Sequence, residues 1–233
     1  MNENLKVIYE DNHILVVEKP PNIPSQSDKT NDIDMLTICK KYIKEKYNKP
    51  GNVYLGLVHR LDRPVGGIMI FAKTSKAASR LSNQVREKIF KKKYLAVVDG
   101  KPENKTGILE DYLYKDERNN ISKVVNKDKK NAKYAKLEYE LIVYDEVKNL
   151  SLLSINLYTG RHHQIRVQLS NFGHSIFGDQ KYGTRGKGKQ IALWAYELEI
   201  EHPITKEKMT YKDLPENKGT WSILKKLKIN YNH

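Results

Sequence analysis

Three groups of residues in this chain have the types and spacing for chemistry. The first is Arg60, Asp62 and Arg63 within HRLDRPVGG, a stretch constrained by Pro64, Gly66 and Gly67 and followed by the apolar run 68–72. Two flanking guanidiniums favour the ionised form of a carboxylate, and a constrained loop on a rigid strand suits a side chain that must be held in place. The bland alternative is a turn aspartate that accepts backbone amides before Pro64. The second group is Tyr94, which follows three lysines in KKKYLAVVDG. It opens a strand, where a half-buried tyrosine with a wet hydroxyl is common. The third is Arg161, His162, His163, Gln164 and Arg166, crowded into GRHHQIRVQL at the start of a helical pattern. Arginines at a helix N-terminus suit an anion, and Gln164 could read a base edge. A polar helix face is the alternative. Adjacent histidines diverge by about 100° around a helix, so His162 and His163 do not form a metal pair.

Two further patterns carry no chemistry. GTRGKGK at 183–189 lacks the spacing of a phosphate-binding loop, and no strand feeds it. Ser75 and Ser82 have no matching histidine and aspartate.

Elements that must position these groups follow from periodicity and punctuation. Residues 6–9 and 14–18 are β-rich around Asp11-Asn12, which predicts a hairpin. Pro20, Pro21 and Pro24 force an extended passage. Asp34 caps a helix from 35 to about 47, and Thr74 or Ser75 caps a second with Ala78, Leu81, Val85 and Ile89 along one stripe. A short apolar run covers 53–58. The run 68–72 reads as a strand buried on both faces. Residues 94–98 form a strand, and 107–156 alternate as an antiparallel meander. A helix covers 163–171, strands cover 191–200 and 208–212, and a small helix covers 222–228. Strands that outnumber helices without regular alternation predict an α+β fold with a mainly antiparallel sheet.

The chain has 233 residues, with 42 Lys+Arg against 28 Asp+Glu, a formal net charge of +14. Such a field favours a polyanionic partner, nucleic acid above all. One cysteine, Cys39, excludes an intrachain disulfide and a multi-thiolate zinc site. No stretch reaches the roughly 20 apolar residues of a membrane span, and no secretory signal opens the chain, so the cytoplasm is the expected location.

In order, these segments resemble the RluA-type RNA pseudouridine synthases. HRLDRPVGGIMIFAKT is similar to the family's HRLDxxTSGLLLFAKT. KKYLAVVDG is similar to its K-x-Y-x-A-x-V strand, GRHHQIRVQL to its GRxHQIRxHL segment, and GDQKYG at 178–183 to its GDxxYG. The resemblance runs from about Lys6 to Trp221. It implies a mixed, largely antiparallel sheet forming two lobes around a central RNA-binding cleft, in one catalytic domain over 1–233 with no room for an S4 domain before Asp62. It implies an isomerase that breaks the glycosidic bond of specific uridines in rRNA or tRNA and rejoins the base through C5, without metal or other cofactor, as a monomer. By position, Asp62 would be the nucleophile, Tyr94 the tyrosine that stacks on the base, and Arg166 the basic residue paired with the aspartate. Arg60 would help to flip the uridine, with Arg63, Arg161, His163 and Gln164 as further RNA contacts. A binding module without catalysis on the same scaffold is the alternative. Gln168 stands where the family has a second histidine, and His162 where it has a small or variable residue. The basic segment 127–136 is either an RNA contact or a solvated hairpin tip.

Overall fold

Short polar side chains start the two longer helices. The Asp34 carboxylate accepts the Thr37 backbone N–H at 3.1 Å, and the Thr74 hydroxyl accepts that of Ala77 at 3.1 Å. Each satisfies one of the amides a helix leaves orphaned at its N-terminus. The structure, a computed structural model, describes residues 5–28 and 30–226. Its elements in chain order are β1 (Val7–Glu10), β2 (Ile14–Lys19), α1 (Met35–Lys46), β3 (Gly56–Leu57), β4 (Gly66–Ala72), α2 (Ser75–Arg86) and β5 (Lys91–Asp99). There follow β6 (Thr106–Asp116), β7 (Ile121–Val125), β8 (Lys133–Asp145), β9 (Leu150–Leu157), α3 (Gln164–Asn171), β10 (Leu193–Glu201), β11 (Lys208–Lys212) and a 3-10 helix, Gly219–Lys226. The predicted α+β class with a mainly antiparallel sheet holds.

The chain divides into two compact units, one comprising residues through Lys92 together with Ala195–Leu214, the other Lys93–Trp194 and the segment from Pro215. In the first unit, β2 pairs antiparallel with β1 and with β4, β3 pairs with β4, and β10 pairs antiparallel with β11. All seven residues of β4 are buried. Ile68, Ile70 and Ala72 join Ile14, Val16, Leu81 and Leu198 in one core cluster. Leu15, Val17, Met69 and Phe71, which alternate with them, are also fully buried. The strand is therefore covered on both faces, as its unbroken apolar run predicts. Gly67 has φ +118°, and a Cβ there would lie 2.2 Å from the Ala195 carbonyl oxygen. Only glycine fits this close approach to β10.

In the second unit the strand order is β5-β9-β8-β6-β7. This corrects the simple meander. β8 pairs with β6, not with β7. The long strand β6 uses Thr106–Leu113 for β8 and Tyr112–Asp116 for β7, so β7 is displaced to the far side as the last strand of this order. The ring of Tyr139 lies over Gly107, where a Cβ would meet it at 2.6 Å.

Other expectations shift in detail. Along α2 the buried residues are Ala77, Leu81 and Gln84, while Val85 is exposed. Gln84 tolerates burial because its amide donates to the Glu201 carbonyl and accepts the Glu201 N–H. The run at 53–58 yields only the two-residue β3. The terminal helix is a 3-10 turn ending at Lys226, and residues 227 and 228 of the predicted segment lie outside the described residues. Among the described residues no helix is long and apolar enough to cross a membrane.

Candidate active site

The HRLD segment is pinned by backbone hydrogen bonds on either side of Asp62. The Ser25 hydroxyl, 5% exposed, donates to the Leu61 carbonyl at 2.8 Å and accepts the Leu61 N–H at 3.1 Å. The Val65 N–H closes a turn on the Asp62 carbonyl at 2.9 Å. The Arg63 carbonyl accepts from the Asn22 N–H at 2.8 Å and from Lys19 Nζ at 3.0 Å. Lys19 is fully buried, and its second donation goes to the Pro20 carbonyl at 2.9 Å. Burial pushes its ammonium down to about 7, while the Asp62 charge acts to raise it and Arg63 to lower it further. Asp62 itself is half-buried.

The two arginines of this segment differ. Arg60 is exposed. The guanidinium of Arg63 turns back on the 22–32 loop, donating to the Asn22 carbonyl, Thr30 and the Asp32 carboxylate, with Asp28 at 3.7 Å. Arg63 ties that loop to the turn. His59 packs its ring 5.2 Å from that of Phe90 and accepts the Ile70 N–H on Nε2 at 3.1 Å.

The second unit holds the other candidates. Tyr94 lies on β5 opposite Ile155 of β9 and is 6% exposed. α3 begins at His163, whose left-handed backbone (φ 52°) turns the chain into the helix. Arg166, 4% exposed, is gripped by a carboxylate on two sides: Nε donates to Asp179 Oδ2 and a terminal nitrogen to Oδ1, both at 2.7 Å. Asp179 Oδ1 also accepts the backbone N–H groups of Lys181 and Tyr182. The Tyr182 ring lies 5.2 Å beneath the Arg166 guanidinium, and its hydroxyl accepts the Ser122 N–H and pairs with His163 Nδ1 at 2.8 Å. The fork and the ring together leave the guanidinium little rotational freedom.

Gln164 faces inward and does not present a base-reading edge. Its oxygen accepts from Thr159 and the Arg161 N–H, its nitrogen donates to the Lys136 carbonyl and Gln168, and it is 3% exposed. Gln168, at the family's second histidine, donates to Asp111 Oδ2 at 2.7 Å and to the Leu109 carbonyl, joining α3 to β6. Arg161 stays exposed, with Nε donating to the Tyr134 carbonyl.

Sequence reasoning did not single out Lys19, Ser25, Asp179 or Tyr182 for a role. Asp179 and Tyr182 sit in GDQKYG, so a signal existed, but only packing reveals that the segment clasps Arg166. No group of three or more His, Cys, Asp or Glu among the described residues is arranged to hold a metal ion.

Two histidines make the fold acid-sensitive. Burial, with Lys92 adding to it, lowers His59 to about 3. Burial, then the charges of Arg166 and its neighbours, lowers His163 to about 2. The unfolded chain binds these protons from about pH 6.5 downwards and the folded chain does not, so stability is lost as pH falls below that value. Each histidine should cost about 2 kcal/mol at pH 5 relative to pH 7. Urea unfolding of wild type at the two pH values measures the loss, and His59→Gln and His163→Asn should each flatten it. A wild-type stability equal at both pH values would contradict neutral burial.

The comparisons with known proteins bear on what this arrangement serves. The family model described as RNA pseudouridylate synthase matches residues 13–171. An uncharacterised RNA pseudouridine synthase of Mycoplasma genitalium is 37% identical over 208 residues, 85% of this chain and 64% of that one, so the chain spans less than two thirds of this relative's length. The dual-specificity RNA pseudouridine synthase RluA of Escherichia coli O157:H7 is 32% identical over 214 residues, 89% of this chain and 92% of that one. The solved structure of human RNA pseudouridylate synthase domain containing 1 superposes with a TM-score of 0.76 at 21% identity, over 93% of this chain and 85% of that one, a likeness of fold. The model matches more than half of the chain and RluA is similar over most of it, and the chain belongs to the RNA pseudouridylate synthase family as an RluA-type member.

Proposed function

We propose that this chain isomerises specific uridines of rRNA or tRNA to pseudouridine, with Asp62 as nucleophile. The observation that carries the reading is the Asp62 turn, a half-buried carboxylate whose backbone is fixed on both sides by Ser25, Val65 and Lys19. Fixed geometry is what a nucleophile needs, because a misplacement of about 1 Å costs on the order of 100-fold in rate. The reaction breaks the bond between C1′ and N1 of the uridine, turns the base, and joins C1′ to C5; the C5 proton leaves to solvent and N1 takes up a proton in its place.

A uridine stacked in RNA is out of reach, and extruding it costs about a few kcal/mol. Arg60, exposed at the start of the turn, is suited to fill the vacated space and contact phosphate. Tyr94 offers the freed base a ring on which to stack. Arg166, its fork held by Asp179, supplies a fixed positive charge for the anionic groups of the reaction, and the net charge of +14 supplies affinity independent of sequence. Arg161, exposed beside them, completes the proposed RNA contacts, whereas His163 is buried against Tyr182. A binding module without catalysis would have no use for a nucleophile held this way.

Tritium release from RNA labelled at uridine C5 tests the proposal directly. Wild type should release tritium from rRNA or tRNA transcripts without added metal or cofactor. RNA binding with no release from any cellular RNA would leave only the non-catalytic reading.

A further inference from the structure

The second unit presents an aromatic face that the proposed chemistry does not use. In β6, Leu113 points into the core at 3% exposure, while its neighbours Tyr112 and Tyr114 point the other way. Tyr112 stands directly opposite Tyr134 of β8, and residues opposite each other across a pair share a face. Tyr112 is 37% exposed and Tyr134 is 40% exposed, with ring centroids 5.9 Å apart in an edge contact. Three tyrosines on two adjacent strands thus lie on one open side of the sheet.

The charges around these rings are those of a polyanion site. Lys129 stands 5.4 Å over the Tyr114 ring, and Lys123 stands opposite Tyr114 on β7. Between residues 123 and 136 there are six lysines against one acidic residue, Asp128. The nearby carboxylate of Glu110 is already engaged, accepting the Tyr134 hydroxyl and pairing with Lys136 at 2.9 Å. Those two partners fix the Tyr134 ring and offset the repulsion that Glu110 would exert on phosphate. A lipid surface would meet one strongly exposed aliphatic side chain on this face of β6, Ile108. Exposed rings interleaved with lysines are what a single strand of nucleic acid takes, its bases on the rings and its phosphates on the cations.

We infer that this face is a stacking platform for a single-stranded stretch of the substrate RNA beyond the modified uridine, an inference that rests on the synthase reading for its choice of RNA. It gives the basic segment a preference for single-stranded RNA that phosphate contacts alone do not supply, since only unstacked bases can lie on the rings.

The test is fluorescence anisotropy with a labelled 20-nucleotide oligouridylate, run on wild type and two double variants. Tyr112→Thr with Tyr134→Thr keeps β-forming residues and removes both rings; it should weaken binding by at least tenfold. Tyr112→Phe with Tyr134→Phe keeps the rings and should bind within about twofold of wild type. Photo-crosslinking of wild type to 5-iodouridine RNA, mapped by mass spectrometry, should mark Tyr112 or Tyr134 and needs no variant to fold. Wild-type affinity in the folded threonine pair, or crosslinks confined to other regions, would overturn the platform. If that happens while wild type still releases tritium, the synthase reading stands alone. Ring-dependent binding without any tritium release would uphold the platform and remove the catalytic reading instead.

Discussion

Asp62→Asn should lower tritium release by about 10⁴-fold or more, the scale on which enzymes lose activity when a nucleophile is removed. The amide has nearly the shape of the carboxylate, so the turn closed by Val65 N–H on the Asp62 carbonyl stays intact. RNA affinity should be unchanged or slightly tighter, because one negative charge is taken from a site meant for a polyanion. Lys19 offers an independent check. The Asp62 charge acts to raise the pKa of that buried ammonium, so its removal should carry Lys19 below about 7. Single-turnover assays and anisotropy on the same RNA separate chemistry from binding. Turnover within tenfold of wild type would refute Asp62 as nucleophile, whatever happened to affinity.

How far Asp62 could be read from sequence depends on what fixes each feature. The caps at Asp34 and Thr74, the buried run of β4 and the limits of β11 were legible, because each is set by residues within a few positions of one another. The order of β6, β7 and β8 was not, because β6 divides its length between two partners and neither half carries a local mark of it. The same division runs through the candidate site. The types at Asp62, Tyr94 and Arg166 stand out in sequence. The inward turn of Gln164 depends on Lys136, 28 positions away, and the engagement of Arg63 on Asp32, 31 positions away. A polar residue in a polar segment gives no sign of which way it faces until its partners are in place. Lys19 shows the converse: a lysine beside two prolines looks solvent-bound, yet two backbone carbonyls make its full burial tolerable.

The clasp on Arg166 carries the second large effect. Asp179→Asn removes the charge that balances a guanidinium 4% exposed, with its own side chain fully buried. Breaking one side of such a pair costs about 3–5 kcal/mol, because the remaining charge is left uncompensated. That is a large share of the roughly 5–15 kcal/mol that holds a domain folded. Asparagine still offers one oxygen to the Lys181 and Tyr182 amides, so the loss reports on the ion pair more than on the 178–183 turn. Arg166→Met should be costly too, stranding the Asp179 carboxylate. The double variant removes both charges, and an apolar side chain then packs on the Tyr182 ring. Its stability should exceed the additive expectation by at least about 2 kcal/mol, the signature of direct coupling in a double-mutant cycle. Urea unfolding of the four proteins measures this, and additive losses would mean that the fork does not hold the pair. Activity should not follow stability. The double variant regains its fold yet lacks the fixed cation, so its kcat should stay as low as that of Arg166→Met. Recovery of turnover together with stability would show that Arg166 serves the fold and not the reaction.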